Sequence, residues 1–294
     1  MIRRKKHILF ILFAILIASA ILGCAAIRRF FFLQSTVKPS PEPELLIVNA
    51  PENEVLPDKI VVITHGWIED KSWPLDIATA IADKVDSNEW ICAWFDWRTQ
   101  AMVVNPTDAA KFAKEKAGDI LADKILELSK NFTHIHLIGH SCGSWVINEA
   151  ANKLSQKIKS TLHLTFLDAY IPPFWHEKEL GSIGNDPNIS SWIEHYFTRD
   201  ITLAVTEVTL TNAYNVDLTD INPEINSHKF PWHWYYATVL GQYAKDQRYN
   251  GKTLYFSDGS IEYGFLRSLE AGMQNWEKSK KLAPNTKPVK IKPE

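Results

Sequence analysis

Apolar residues recur along this chain at two periods, and the alternation between them predicts an architecture. KIVVITHGW (59–67) is a nearly continuous apolar run that stops at a glycine, the pattern of a strand buried on both faces. WPLDIATAIADKV (73–85) spaces its apolar residues three and four apart, as a helix with one buried stripe does. WICAWFDW (90–97) returns to strand character. Residues 105–129 predict a long helix, with Thr107 or Asp108 as cap and Phe112, Ala113, Ala117, Ile120, Leu121, Ile125 and Leu128 on one face. THIHLIGH (133–140) reads as strand, SWVINEAANKLSQKI (144–158) as helix and LHLTFLDAY (162–170) as strand. Strand and helix alternating at this rhythm imply an α/β fold: a mostly parallel central sheet covered by helices on both faces.

Beyond residue 171 the rhythm breaks. Residues 172–204 carry prolines, Gly181, Gly184 and scattered aromatics, and suggest an insertion over the sheet's edge. EVTLTNAYNV (207–216) predicts a further strand, followed by a loop with His228, a helix at WYYATVLGQYA (234–244) and a last helix within residues 262–280. The tail from residue 281 is rich in proline and lysine and reads as disordered. At the other end, residues 30–58 hold prolines and few apolar periods, the marks of a tether with one strand near Leu45–Val48. The expected organisation is an anchor over residues 1–29, a tether over 30–58, a catalytic domain over 59–280 and a tail over 281–294.

The anchor comes from the first thirty residues. MIRRKKH precedes ILFILFAILIASAILGCAAI (8–27), twenty residues without a charge, enough for one helix to span a bilayer's hydrocarbon. Arg3, Arg4, Lys5 and Lys6 outweigh Arg28 and Arg29, which keeps the N-terminus cytoplasmic and exports the remainder. ILGC, ending at Cys24, resembles a bacterial lipoprotein signal, and diacylation there supplies the two chains a stable anchor needs. An uncleaved signal anchor is the alternative. Cys92 and Cys142 are the other cysteines, and their placement suggests neither a disulfide nor a metal site.

Composition adds little more. The 294 residues are 46% hydrophobic with a formal net charge of −2, enough for a substantial core and no reason to expect a nucleic-acid partner. Eleven tryptophans suit apolar pockets as well as a large core.

The chemistry concentrates at Gly139-His140-Ser141-Cys142-Gly143, a G-x-S-x-G sequence between a predicted strand and a predicted helix. A serine at so sharp a turn needs neighbours without side chains, and the helix start behind it adds positive potential. A hydroxyl is a weak nucleophile alone and needs a base, an orienting acid and two N–H donors for an oxyanion. The donors expected are the main-chain N–H groups of Cys142 and of Trp67, the latter following Gly66 at an earlier strand's end. His134 and His136 share one face of a central strand and read as packing residues. Asp96 reads as a strand-end cap.

His65-Gly66-Trp67 after a strand, Asp96-Trp97 closing the next, GHSCG and then LDAYIPPF (167–174) together resemble the pancreatic lipase family of α/β-hydrolases. The likeness covers about residues 59–174. It implies the α/β-hydrolase fold, and Asp168, after the strand following the nucleophile, as the acid. Asp217, or Asp220, near the His-bearing loop, is the rival position used by most other α/β-hydrolases. Chain order then puts the base after the acid, at His228 or His233, with His228 favoured by its loop setting. Neither a disulfide-bounded lid nor a second β-sandwich domain is recognisable.

The implied activity is hydrolysis of carboxylic esters, lipids or other acyl esters, through an acyl-enzyme and without metal or organic cofactor. Trp67, Trp73, Ile171, Phe174 and Trp175 are candidate walls of an apolar substrate pocket. A serine peptidase or amidase with the same triad, or a non-catalytic binding module on this scaffold, are the competing readings. Esters against anilides separate the first, and a fluorophosphonate probe that leaves Ser141 unlabelled identifies the second. Oligomeric state is not legible.

Overall fold

The run KIVVIT forms β2 (Lys59–Thr64), every residue after Lys59 buried, and it lies near the middle of an eight-stranded sheet. The structure is a computed structural model that describes residues 42–49, 56–69, 72–199, 205–222, 227–240, 264–265 and 283–291, all within one compact unit, Ser40–Glu294. The N-terminal anchor with Cys24, most of the tether and the helix expected within 262–280 lie outside those residues.

The strands are β1 (Glu44–Ile47), β2, β3 (Trp90–Asp96), β4 (His134–His140), β5 (Thr161–Leu167), β6 (Ser191–Phe197), β7 (Tyr214–Asp217) and β8 (Val289–Lys290). Their order is β1-β3-β2-β4-β5-β6-β7-β8. Only β1 runs antiparallel, against β3; every other pair is parallel. The helices are α1 (Ser72–Ala82), α2 (Arg98–Ala101), α3 (Pro106–Phe112), α4 (Gly118–Leu128), α5 (Gly143–Ser155) and α6 (Phe230–Leu240). A π-turn over Ala113–Ala117 joins α3 to α4.

Strand order and helix placement make this an α/β-hydrolase fold. On one face, Ile60, Val62, Ile135, Leu137, Leu164 and Phe166 pack against Ala109, Ala113, Leu121, Trp145 and Leu154 of the α3–α5 layer. On the other, Val61, Ile63, Ile138, Leu167 and Val216 meet Trp73, Ile77 and Ile81 of α1 and Phe230, Trp234 and Tyr235 of α6. Two cores, one per face, explain why these strands read as unbroken apolar runs.

Three expectations need correcting. The long helix starts not at Thr107 or Asp108 but behind Asn105, whose side chain accepts the Thr107 N–H at 2.9 Å while Pro106 opens the first turn. The stretch 172–204 is no simple insertion. SWIEHYF within it is β6, fully buried between β5 and β7, its Glu194 and His195 satisfied by neighbouring strands instead of by water. Nor is the tail simply disordered: Asn285 exchanges hydrogen bonds with Asn215, and Val289–Lys290 extends the sheet beside β7.

Candidate active site

Strand ends place the site. β4 runs out at His140, and Ser141 follows at φ +53° before α5 begins. A left-handed serine costs about 1–3 kcal/mol and persists only where its surroundings impose it. Here the Ser141 N–H donates to the Leu167 carbonyl of β5 at 3.0 Å, and its carbonyl accepts the Tyr170 N–H at 3.3 Å. Glycine spacing follows from the close approach: a Cβ on Gly139 would stand 2.6 Å from the Gly143 carbonyl oxygen, and one on Gly66 2.7 Å from the Ser141 Cβ. One strand over, Asp168 repeats the device at φ +46°, its N–H held by the Tyr196 carbonyl of β6 at 2.8 Å.

These two strand ends meet a third element. His228 lies in a 3-10 turn, Ser227–Lys229, directly before α6. Its Nε2 stands 2.9 Å from Ser141 Oγ and its Nδ1 2.6 Å from Asp168 Oδ2. A carboxylate only accepts, so Nδ1–H donates to Asp168 and the bare Nε2 accepts the serine O–H. Asp168 is fully buried and its Oδ1 takes the Thr198 N–H at 2.9 Å, while the His228 side chain remains 20% exposed. Behind the acid, the Ala169 N–H leans on His195 Nε2 at 3.4 Å, and His195 Nδ1–H donates to Asn215 at 3.1 Å. Burial holds that ring down to about 4, so it is neutral and can accept.

The alternative residues are engaged elsewhere. Asp217, buried at the end of β7, receives Arg199 Nε at 3.2 Å and the Thr219 N–H and hydroxyl at 3.0 and 2.5 Å. Although burial opposes its charge, those Thr219 and Arg199 bonds keep its carboxyl below the usual range. Asp220 lies 4.0 Å from Lys290. His233 sits on α6 with its ring 3.6 Å from that of Trp232. Asp96 chelates the Arg98 guanidinium at 2.8 and 2.6 Å and lies 3.6 Å from His65.

The expected oxyanion donors share one neighbourhood. Cys142, fully buried, points its S–H at the Pro106 carbonyl (3.5 Å). Burial pushes that thiol far up, so it stays protonated and is no rival nucleophile. Trp67 is fixed by its indole N–H to the Val103 carbonyl at 2.6 Å.

The pocket residues divide. Trp73 is 4% exposed and supports the Glu69 carboxylate through its indole N–H (3.1 Å). Trp175 packs edge-on against Trp145 at 4.6 Å with the Lys114 ammonium 4.8 Å from its ring, and Glu179 completes that cluster. Ile171, 7% exposed, is tied by its N–H to the Val205 carbonyl. Phe174 is fully exposed at φ +71°.

The Lipase family model matches residues 50–189, the span that contains Trp67, Ser141 and Asp168. Over that span the chain is similar to the Lipase family, and its core has the α/β-hydrolase fold. Among solved structures, a lipase-esterase related protein from Clostridium acetobutylicum is 17% identical over 44% of this chain and 47% of that one, with a TM-score of 0.29. Est1E from Butyrivibrio proteoclasticus is 16% identical over 49% of each, at 0.29. LpqC, a poly(3-hydroxybutyrate) depolymerase from Bordetella parapertussis, is 14% identical over 55% of this chain and 62% of that one, at 0.35. The first of these alignments spans about half the length of the solved relative. No curated protein sequence matches this hydrolase-like chain.

Sequence reasoning missed Glu69 and His140. Glu69 Oε1 lies 2.5 Å from His140 Nδ1, and its Oε2 accepts the Gly66 N–H at 2.8 Å. Burial works against its charge, but His140 carries the carboxyl down to about 2. The only sequence sign was a carboxylate three residues after Gly66. Among the described residues no cluster of three or more His, Cys, Asp or Glu has metal-holding geometry.

Proposed function

We propose that this protein is a serine hydrolase of carboxylic esters, held outside the cytoplasm by its N-terminal segment. The observation that carries the reading is the hydrogen-bond chain from Ser141 Oγ through His228 to Asp168, 2.9 and 2.6 Å long. His228 Nε2 takes the Ser141 proton as Oγ adds to the ester carbonyl carbon, and Asp168 stabilises the imidazolium that forms. The carbonyl oxygen, now an anion, is held by the Trp67 and Cys142 N–H groups. Nε2–H then protonates the departing alkoxide, leaving an acyl group on Oγ. Water, deprotonated by the same nitrogen, attacks that acyl carbon and releases the acid.

The tether rests on the twenty uncharged residues 8–27 between basic clusters, with Cys24 as the acylation site or the segment as an uncleaved anchor. Lipids and shorter acyl esters are the proposed substrates, in line with the lipase-like core. The test uses the full chain in detergent. A fluorophosphonate should label Ser141 in wild type and not in Ser141→Ala, and p-nitrophenyl esters should turn over far faster than the matching anilides. A wild-type protein that is neither labelled nor active would end the proposal.

A further inference from the structure

The proposed reaction makes no use of the imidazole beside the nucleophile, yet His140 is fully buried, with a polar neighbour at each ring nitrogen. Its Nε2–H donates to the main-chain carbonyl of His228 at 2.8 Å, and its ring lies 4.6 Å from that of His228. Its Nδ1 meets Glu69 Oε1 off the ring N–H axis. The other Glu69 oxygen accepts N–H groups from Gly66, next to the expected oxyanion donor, and from Trp73. Trp73 in turn presents its ring edge to His140 at 5.7 Å and stacks at 5.0 Å on Trp232, four residues beyond His228.

We propose that Glu69 and His140 form a second acid–imidazole pair that positions the base and the oxyanion loop, acting through His228 and Gly66 and never on substrate. The inference rests on the hydrolase reading above. A carbonyl oxygen faces Nε2, so that nitrogen carries a proton, and the close approach of Nδ1 to Glu69 Oε1 needs a second proton between them. One carboxylate thereby ties together three segments far apart in sequence: the β2–α1 loop, the elbow and the turn before α6.

His140 touches the base directly, and Glu69 stands behind His140. Among the described residues, the titratable groups against His228 include Asp168 from the end of β5 and His140 from β4; Lys229, its chain neighbour, is exposed.

Glu69→Gln preserves shape while removing the carboxylate. Expected for p-nitrophenyl acetate are a kcat about 10- to 100-fold lower and a KM within about threefold of wild type. A pair that merely fills space would lower Tm and leave kcat where it was; that result overturns the proposal. Should Glu69→Gln fail to fold, His140→Gln reads the same link from its other partner, and wild-type kcat there is equally fatal. Wild type is assayed alongside with fluorophosphonate. An unlabelled wild type sinks the hydrolase reading itself, whereas a labelled wild type with unaltered variants sinks this inference alone.

Discussion

Of the imidazole–carboxylate pairs on this sheet, two differ chiefly in where they lie. His228–Asp168 closes at 2.6 Å on the rim, and His163–Glu194 at 2.7 Å inside it. The inner pair is packed all round: Glu194 also accepts the Tyr196 hydroxyl at 2.6 Å, and the His163 ring stacks on His136 at 3.7 Å and on Trp192 at 5.0 Å. Both partners are essentially inaccessible. At the rim the second ring nitrogen is left to face a hydroxyl on a strained turn. An acid–histidine pair is thus not a site by itself. What distinguishes the rim is that the sheet ends there, so backbone can turn sharply and a side chain can meet something other than its neighbours.

The largest expected effect removes the feature the inner pair lacks. Ser141→Ala should reduce ester turnover by about 10⁴-fold or more while leaving Tm within a few degrees, and steady-state kinetics with a thermal melt would check both. Next, Asp168→Asn should cost about 10⁴-fold in kcat, because the amide no longer holds the Nδ1–H tautomer. Asp217→Asn, by contrast, should remain within about tenfold. Equal losses in the two would erase the assignment of the acid.

The inner pair should respond in the opposite sense. Glu194→Gln leaves His163, Tyr196 and Thr165 with a poorer acceptor, at a cost of about 2–3 kcal/mol of stability, read as a denaturant midpoint. Activity per folded molecule should stay within about threefold. Acid sharpens the contrast further. Burial holds His134 down to about 3 and His195 to about 4, against 6.5 for an ordinary ring. Between those values and 6.5 the unfolded chain binds protons that the folded chain refuses. Stability should therefore fall as pH drops below 6.5, by about 1.4 kcal/mol per unit for each ring. Glu69, held at about 2 against 4.5, adds to the loss only from 4.5 downward. Denaturant midpoints flat between pH 7 and 5 would contradict this. Smallest of all, His233→Ala should change kcat less than about twofold, since its ring lies against Trp232 on α6.

Much of this was legible because it is local. The β2, β4 and β5 runs, the α1 and α5 stripes and the G-x-S-x-G turn are each written within a dozen residues, where periodicity and glycine spacing report directly on burial and backbone. β6 escaped notice because Glu194 and His195 look like surface residues until their partners on β5 and β7 are known. β8 is two residues long, too short to carry a period. Glu69 and His140 were equally silent: one reads as a loop acid, the other as a neighbour of the nucleophile.

The amino-acid order alone determined the wound α/β sheet, the sharp turn at Ser141 and the strands whose ends carry its neighbours, since those depend on contacts between residues close along the chain. Which carboxylate and which imidazole stand beside that serine was decided by tertiary structure. Hydrogen bonds of 2.6–2.9 Å between residues 60 and 87 positions apart exist only after β4, β5 and the turn before α6 have been brought to one rim.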